Sequence, residues 1–334
     1  MLRFFPSLRE ENELEQPTKR FLEIKDPYVE TDRWEPIGVK EGIPDRVRFI
    51  DGVRRTELRT SIFDGEHFAG EGIFLSVGAG VLEVDRSGER PEYRLLHREI
   101  KRYFVHNLRG KKDIPPLWRV ETDGGPLEFE SVVSPVGEIS EYGNFLMKKL
   151  EVAALRRVDD GRTTTLFDGP VKVGKFFPNV VYSVKESKYF YLQGFEKLLL
   201  SLKGGQRSPI FRFEERIRSI TDKGVVERTV SKIGCYVRIG SPSGGNRVDP
   251  LGGLVRLEVP AGGDREETLR LLERGAAIVH FFANSSLRDR RSPQNLTTIA
   301  YLERELRRRL GEYRIVRRFV GRLIGEHLGD SEIE

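Results

Sequence analysis

The sequence predicts an α/β protein: a mixed sheet with helices on its faces. Strand-like segments between residues 47 and 84 are followed by one long amphipathic helix and then by a short strand that could lie parallel to the first. With 334 residues the chain has room for about two domains, or for one domain with large insertions. Hydrophobic residues at 38% and charged residues at 33% exclude both a disordered chain and a membrane-embedded one.

Residues 1–40 are polar and interrupted by Pro6, Pro17, Pro27 and Pro36, which predicts a lead-in arm or a short helical element. From Val47 the pattern alternates: Val47, Phe49 and Asp51 point one way, Arg48 and Ile50 the other. Two more strands are predicted at Glu57–Phe63 and Phe68–Val84, with Asp64-Gly65 between them as a hairpin turn. Residues 93–106 suit helix or strand, and Gly110–Pro126 is a polar stretch. Glu138–Val158 carries apolar residues at 146, 147, 150, 154, 155 and 158, the period of a helix, and Asp159-Asp160-Gly161 ends it. Short strands are predicted at Thr163–Phe167, closed by Asp168-Gly169-Pro170, and at Val180–Val184, with Tyr189–Leu192 continuing an adjacent segment. Ile233–Ile239 and Leu254–Val259 are later strands, and helices are predicted at Gly263–Gly275, Leu296–Leu310 and onward to Leu328. The order is consistent with a ribonuclease-H-like mixed sheet flanked by helices, with additional strands and C-terminal helices, although other mixed folds satisfy it. It divides the chain into an arm (1–40), a main domain with insertions (41–311) and a helical extension (312–334).

The longest apolar stretch, Gly275–Ala283, is under half a bilayer span and contains His280, so no transmembrane helix is expected. The N-terminus turns acidic before a signal-peptide core develops, and the expected compartment is the cytoplasm. A single cysteine, Cys235, excludes an intrachain disulfide and a cysteine-based zinc site. The five histidines are scattered, so a metal would have to be held by carboxylates. A net charge of +5 permits a polyanionic partner without demanding one.

Asp51 follows Val-Arg-Phe-Ile and Asp168 follows Thr-Thr-Leu-Phe, each preceding a glycine. Both are expected at the carboxyl ends of strands, where ligand sites gather in open α/β sheets. On parallel neighbours the two carboxylates would repel unless a cation such as Mg²⁺ or Mn²⁺ lay between them. Asp-Gly is also ordinary turn chemistry. Glu151 falls on the apolar face of the long helix, with Met147, Ala154, Leu155 and Val158, where a carboxylate needs a partner. Lys148 and Lys149 are placed off that face, leaving a metal or a core-facing arginine to meet Glu151. Three such carboxylates would form a metal-dependent phosphodiester-cleaving centre.

FIDGVRR (49–55), MKKLEVAAL (147–155), LFDGPV (166–171) and VVYSVKESKYFYL (180–192) together resemble the NurA nucleases, and RSPQNLTTIAYLERELRRRLG (291–311) resembles their bacterial branch. The motifs run in order over most of the chain. The resemblance implies a ribonuclease-H-like fold and a Mn²⁺- or Mg²⁺-dependent nuclease acting on single- and double-stranded DNA. It further implies a homodimer working with a HerA-type hexameric ATPase in DNA end resection and double-strand break repair. The family's metal ligands map onto Asp51, Glu151 and Asp168. Archaeal members carry a tyrosine before the C-terminal proline and a histidine several residues on; here Ser292 precedes Pro293, and no histidine follows until His327.

Lys185 is a candidate to stabilise charge at the scissile phosphate. Candidate DNA contacts are Arg54, Arg55, Arg291, Gln294 and Asn295; the last two equally suit capping of the helix at Leu296. The arginines from Arg304 to Arg322 could meet DNA or a protein partner. No GxSxG or P-loop occurs, so neither a serine nucleophile nor intrinsic ATP hydrolysis is expected. The expected activity is phosphodiester hydrolysis by metal-activated water. The alternative is a catalytically weak DNA clamp or adaptor for a translocase, favoured by the missing Tyr/His pair.

Overall fold

A computed structural model of the chain describes residues 2–6, 22–40, 42–108, 114–122, 124–171, 177–185, 194–240, 252–284 and 294–327. In chain order the strands are β1 (Leu2–Pro6), β2 (Leu22–Asp26), β3 (Ile37–Gly38), β4 (Arg46–Asp64), β5 (His67–Asp85), β6 (Glu92–His106), β7 (Leu117–Val120) and β8 (Leu127–Val133). Helix α1 (Ile139–Val158), β9 (Thr164–Asp168), β10 (Val180–Lys185) and α2 (Glu196–Ser201) follow. Next come β11 (Gln206–Arg207), β12 (Phe211–Thr221), β13 (Gly224–Arg238), β14 (Leu254–Pro260), α3 (Arg265–Phe281), α4 (Thr297–Arg309) and α5 (Tyr313–His327).

The strands form one mixed sheet whose main path runs β2-β12-β13-β14-β10-β9-β4-β5-β6-β8-β7. Its centre is parallel: β9 lies between β4 and β10 and runs parallel to both, Ile50 opposite Phe167 and Ser183 opposite Asp168. The outer pairs are mostly antiparallel, led by the β4–β5 hairpin, which turns at Gly65 as its Asp-Gly sequence predicts. This is an α/β fold compatible with a ribonuclease-H-like core, and α1 is the helical part of the connection between parallel β4 and β9.

Helices cover both faces. On one, Val47, Phe49 and Val53 of β4 join Leu166, Val181, Leu257, Leu272 of α3 and Leu302 and Leu306 of α4 in a single core. On the other, Ile50, Phe167 and Tyr182 pack with Ala154 and Leu155 of α1. Alternation along each strand, period two, sends one set of residues to each side. Buried apolar surface stabilises both layers at about 25 cal/mol per Å².

Several elements differ from expectation. Val47–Asp51 and Glu57–Phe63 are one strand, because β5 pairs with β4 across the interval, Gly52 opposite Ala79 and Val53 opposite Gly78. Residues 93–106 are strand. Residues within the first 40 supply no helix among those described; β1 pairs with β4 and β2 with β12, extending the sheet instead. The β12–β13 hairpin was not anticipated, since the alternating Arg and Glu of FRFEERIRSIT hide its apolar side. Helix α3 runs on through Gly275 to Phe281, because GAAIV (275–279) is buried. Tyr189–Leu192 lies outside the described residues. No described helix is long and apolar enough to cross a membrane.

Candidate carboxylate site

Asp51 lies one residue beyond the last β4–β9 pair, and Asp168 is the last residue of β9, so the two are next in register on parallel neighbours. Alternation places Asp51 with Phe49 and Asp168 with Leu166, on the face covered by α3 and α4. Lys185, two residues beyond Ser183, shares that face, and its Nζ lies 2.7 Å from Asp168 Oδ2. Asn295, 2% exposed just before α4, places its Oδ1 3.5 Å from the same ammonium.

Glu151 reaches the same strand end from the other side. It is fully buried on α1, and its carboxylate lies over Gly52, where a Cβ would collide with Oε1 and touch Met147. A glycine inside a strand marks such a close approach. Asp51-Gly52 is therefore no turn, contrary to the sequence reading. The strand continues, and only its pairing with β9 ends there. Asp168-Gly169 is a turn as predicted, with Gly169 at φ 106°.

Lys148 corrects a second expectation. Residues three apart share a helix surface, and Lys148 Nζ lies 2.7 Å from Glu151 Oε2 while donating to the Asp168 carbonyl at 3.1 Å. It ties α1 to the end of β9 and is the partner that Glu151 was expected to find in a metal or an arginine. The i,i+3 spacing was the signal that could have found it. Burial pulls the Lys148 amine down, but Glu151, Asp51 and Asp168 together hold it above its ordinary value.

Asp51 is the least satisfied member of the cluster. It is 5% exposed, and its Oδ2 is buried without a hydrogen bond among the described residues. Burial pushes its carboxyl well above the usual range, and the charges of Asp168 and Glu151 push it further; Lys185 and Lys148 oppose this. The donor chemistry, three carboxylates with one buried oxygen unsatisfied, suits a hard divalent cation. The cage is not preassembled. Among the described residues no three His, Cys, Asp or Glu side chains are gathered to hold a metal. Two ammonium groups take carboxylate oxygens, and the three carboxylates approach from opposite faces of the sheet.

The remaining candidates separate. Arg55 pairs with the buried Glu57 at 2.8 Å and donates to the carbonyls of Leu310 and Gly311, so it anchors the end of α4 rather than the site. Arg54 lies beside Gly143 on α1, about two helical turns before Glu151. Gln294 Nε2 donates to the Leu254 carbonyl at 2.7 Å, and Leu296, the N-cap of α4, receives no side-chain cap. Arg291 lies outside the described residues.

One further cluster escaped the sequence reading. Lys232, Glu215, Arg256 and Glu258, each at most 1% exposed, form a buried network across β12, β13 and β14. Glu258 Oε1 also accepts from the Val171 N–H at 2.7 Å, holding the chain just past Asp168. In sequence these four charges look like solvent-facing strand residues.

No family model matches the chain, and no curated protein matches it in sequence.

Proposed function

We propose that the chain is a metal-dependent deoxyribonuclease whose centre is built from Asp51, Glu151 and Asp168. The observation that carries the reading is the buried Asp51 carboxylate, with an unsatisfied oxygen, beside Asp168 on a parallel neighbour and within the field of Glu151. A buried carboxylate oxygen left unsatisfied, as on Asp51, is costly to the fold, which argues that it serves a ligand. Asp51, Asp168 and Glu151 would hold a Mn²⁺ or Mg²⁺ ion, which when bound supplies charge neutralisation and activation of water. Lys185, beside Asp168 and 20% exposed, would meet a phosphate oxygen of the substrate. Lys148 keeps Glu151 and the β9 terminus in register. The ordered resemblance to NurA nucleases supports DNA as substrate, a cytoplasmic homodimer as the working form, and a HerA-type hexameric ATPase as partner in end resection.

A second reading, a DNA clamp or adaptor without strong catalysis, is favoured by the interposed lysines and the unassembled cage. Cleavage of end-labelled linear DNA by wild type and Asp51→Ala separates the two. The assay is run with EDTA, Mg²⁺ or Mn²⁺, with and without the translocase. Metal-dependent cleavage lost in Asp51→Ala, with DNA binding retained, supports the nuclease. Binding without cleavage under every condition supports the adaptor.

A further inference from the structure

Helices α4 and α5 bury their apolar sides and present arginine to solvent. Leu302 and Leu306 of α4 enter the core against β4, while Val316, Val320, Leu323 and Ile324 of α5 pack with Phe4, Phe74 and Trp118. On the outside, residues 301–325 carry eight arginines against three glutamates, and all eight arginines are exposed. Glu312 is engaged in capping, accepting from the Ile315 N–H, and Glu305 pairs with Arg308. Among the described residues, Arg307, Arg309, Arg314, Arg318 and Arg322 have no acidic partner. The exposed arginines fall in stripes: 304, 307 and 308 on α4, and 314, 317, 318 and 322 on α5, where residues three or four apart have Cβ atoms about 5–6 Å from each other.

The corner between the helices is fixed to the sheet. Arg55 donates to the carbonyls of Leu310 and Gly311, and Arg102 donates to Leu310 at 3.3 Å. The other end of α4 begins beside Asn295, next to Lys185. Helix α4 is thus a rigid strut from the carboxylate site to the arginine-bearing corner.

We infer that the outer faces of α4 and α5 form a docking surface for the phosphate backbone of duplex DNA, leading toward the carboxylate site. The direction of the track rests on the nuclease reading; the binding surface itself does not. Charge complementarity selects a polyanion. Single strands are bound on open aromatic platforms, and here each exposed ring already has an arginine over a face: Arg304 over Tyr301, and Arg55 and Arg317 over Tyr313. A membrane surface would need an exposed apolar stripe beside the arginines, whereas the aliphatic residues Leu302, Leu306, Val316, Val320, Leu323 and Ile324 are buried and Ile315 alone among the aliphatics of the two helices is left well exposed.

The test is binding of a fluorescent 30-base-pair duplex in EDTA at several salt concentrations, which removes catalysis from the measurement. Full-length wild type is compared with Arg314→Gln/Arg318→Gln/Arg322→Gln and with a charge-matched control, Arg94→Gln/Arg119→Gln/Arg216→Gln. The α5 triple should lose tenfold or more in affinity, with a salt slope shallower by about one per arginine engaged, while the control stays within about twofold. Equal affinities for wild type and the α5 triple, or an equal loss in the control, would overturn the surface and leave the nuclease reading standing. No duplex binding by wild type would remove both. Arginine-dependent binding to phosphatidylserine vesicles but not to duplex would replace the inference with a membrane-facing one.

Discussion

Gly52 and Glu151 occupy one space: a Cβ on Gly52 would overlap Glu151 Oε1 and lie 3.0 Å from both Glu151 Cγ and Met147 Cγ. Gly52→Ala therefore pushes Glu151 off the strand end. Overpacking of this kind costs roughly 1–3 kcal/mol, well within what a domain of this size tolerates. On the nuclease reading proposed above, cleavage should fall more than a hundredfold while the protein still folds. Urea denaturation beside the DNA cleavage assay checks both, and an active Gly52→Ala enzyme would remove Glu151 from the centre.

Lys148 sits between Glu151 and the Asp168 carbonyl, so its removal leaves a fully buried carboxylate without that ammonium. Breaking a buried pair costs roughly 3–5 kcal/mol, and the partial exposure of Lys148 puts the expected loss at the lower end. Lys148→Met should be destabilised accordingly, and Lys148→Met/Glu151→Gln should recover much of the loss because the orphan charge is gone. Denaturation midpoints of the two variants decide it. No recovery in the double variant would mean that Lys148 acts mainly through Asp168.

The path from sequence to site was legible where one local rule was enough. Asp168-Gly169 is the turn it looks like, and α1 begins and ends where its periodicity and the Asp159-Asp160-Gly161 stop place it. A helix set between two apolar runs made a parallel relation of β4 and β9 possible, and β9 does run parallel to β4. What failed depended on neighbours distant in sequence. Gly52 reads as a turn residue because nothing near it in sequence reveals that α1 lies overhead. The charges of Lys232, Glu215, Arg256 and Glu258 read as surface because their partners sit on different strands. Arg55 reads as a site residue until Leu310, some 250 residues on, turns out to hold it.

Asp51 ties the site to pH. Its carboxyl is raised above the value it has in the unfolded chain, so the folded state holds that proton more tightly. Stability from this group is present below the unfolded value near 3.8 and is lost as pH rises through the folded value. Ionised and without a metal, Asp51 is a net burden on the fold, and the burden grows as pH rises. Asp51→Asn, which mimics the protonated form, should raise the urea midpoint at pH 7–8 in metal-free buffer, gain less at pH 4–5, and abolish cleavage. A variant less stable than wild type at pH 8 would show that Lys185 and Lys148 more than offset the repulsion.

The Lys232 network reaches the site through Glu258, which binds Lys232 at 2.8 Å, Arg256 at 3.0 Å and the Val171 N–H at 2.7 Å. Lys232→Met deletes the charge that Glu215 and Glu258 share. With all members buried, the expected cost is roughly 3–5 kcal/mol, the largest among the variants considered. The loss should not stay local. Glu258 keeps Arg256 but loses the Lys232 ammonium, and the Val171 contact that pins the chain after Asp168-Gly169-Pro170 should loosen with it. Hydrogen exchange at the Val171 amide reads this directly. Faster exchange in Lys232→Met than the global loss of stability accounts for would show that the buried charges hold the end of β9 in place. Exchange that only tracks global unfolding would confine the network to the β12–β14 layer.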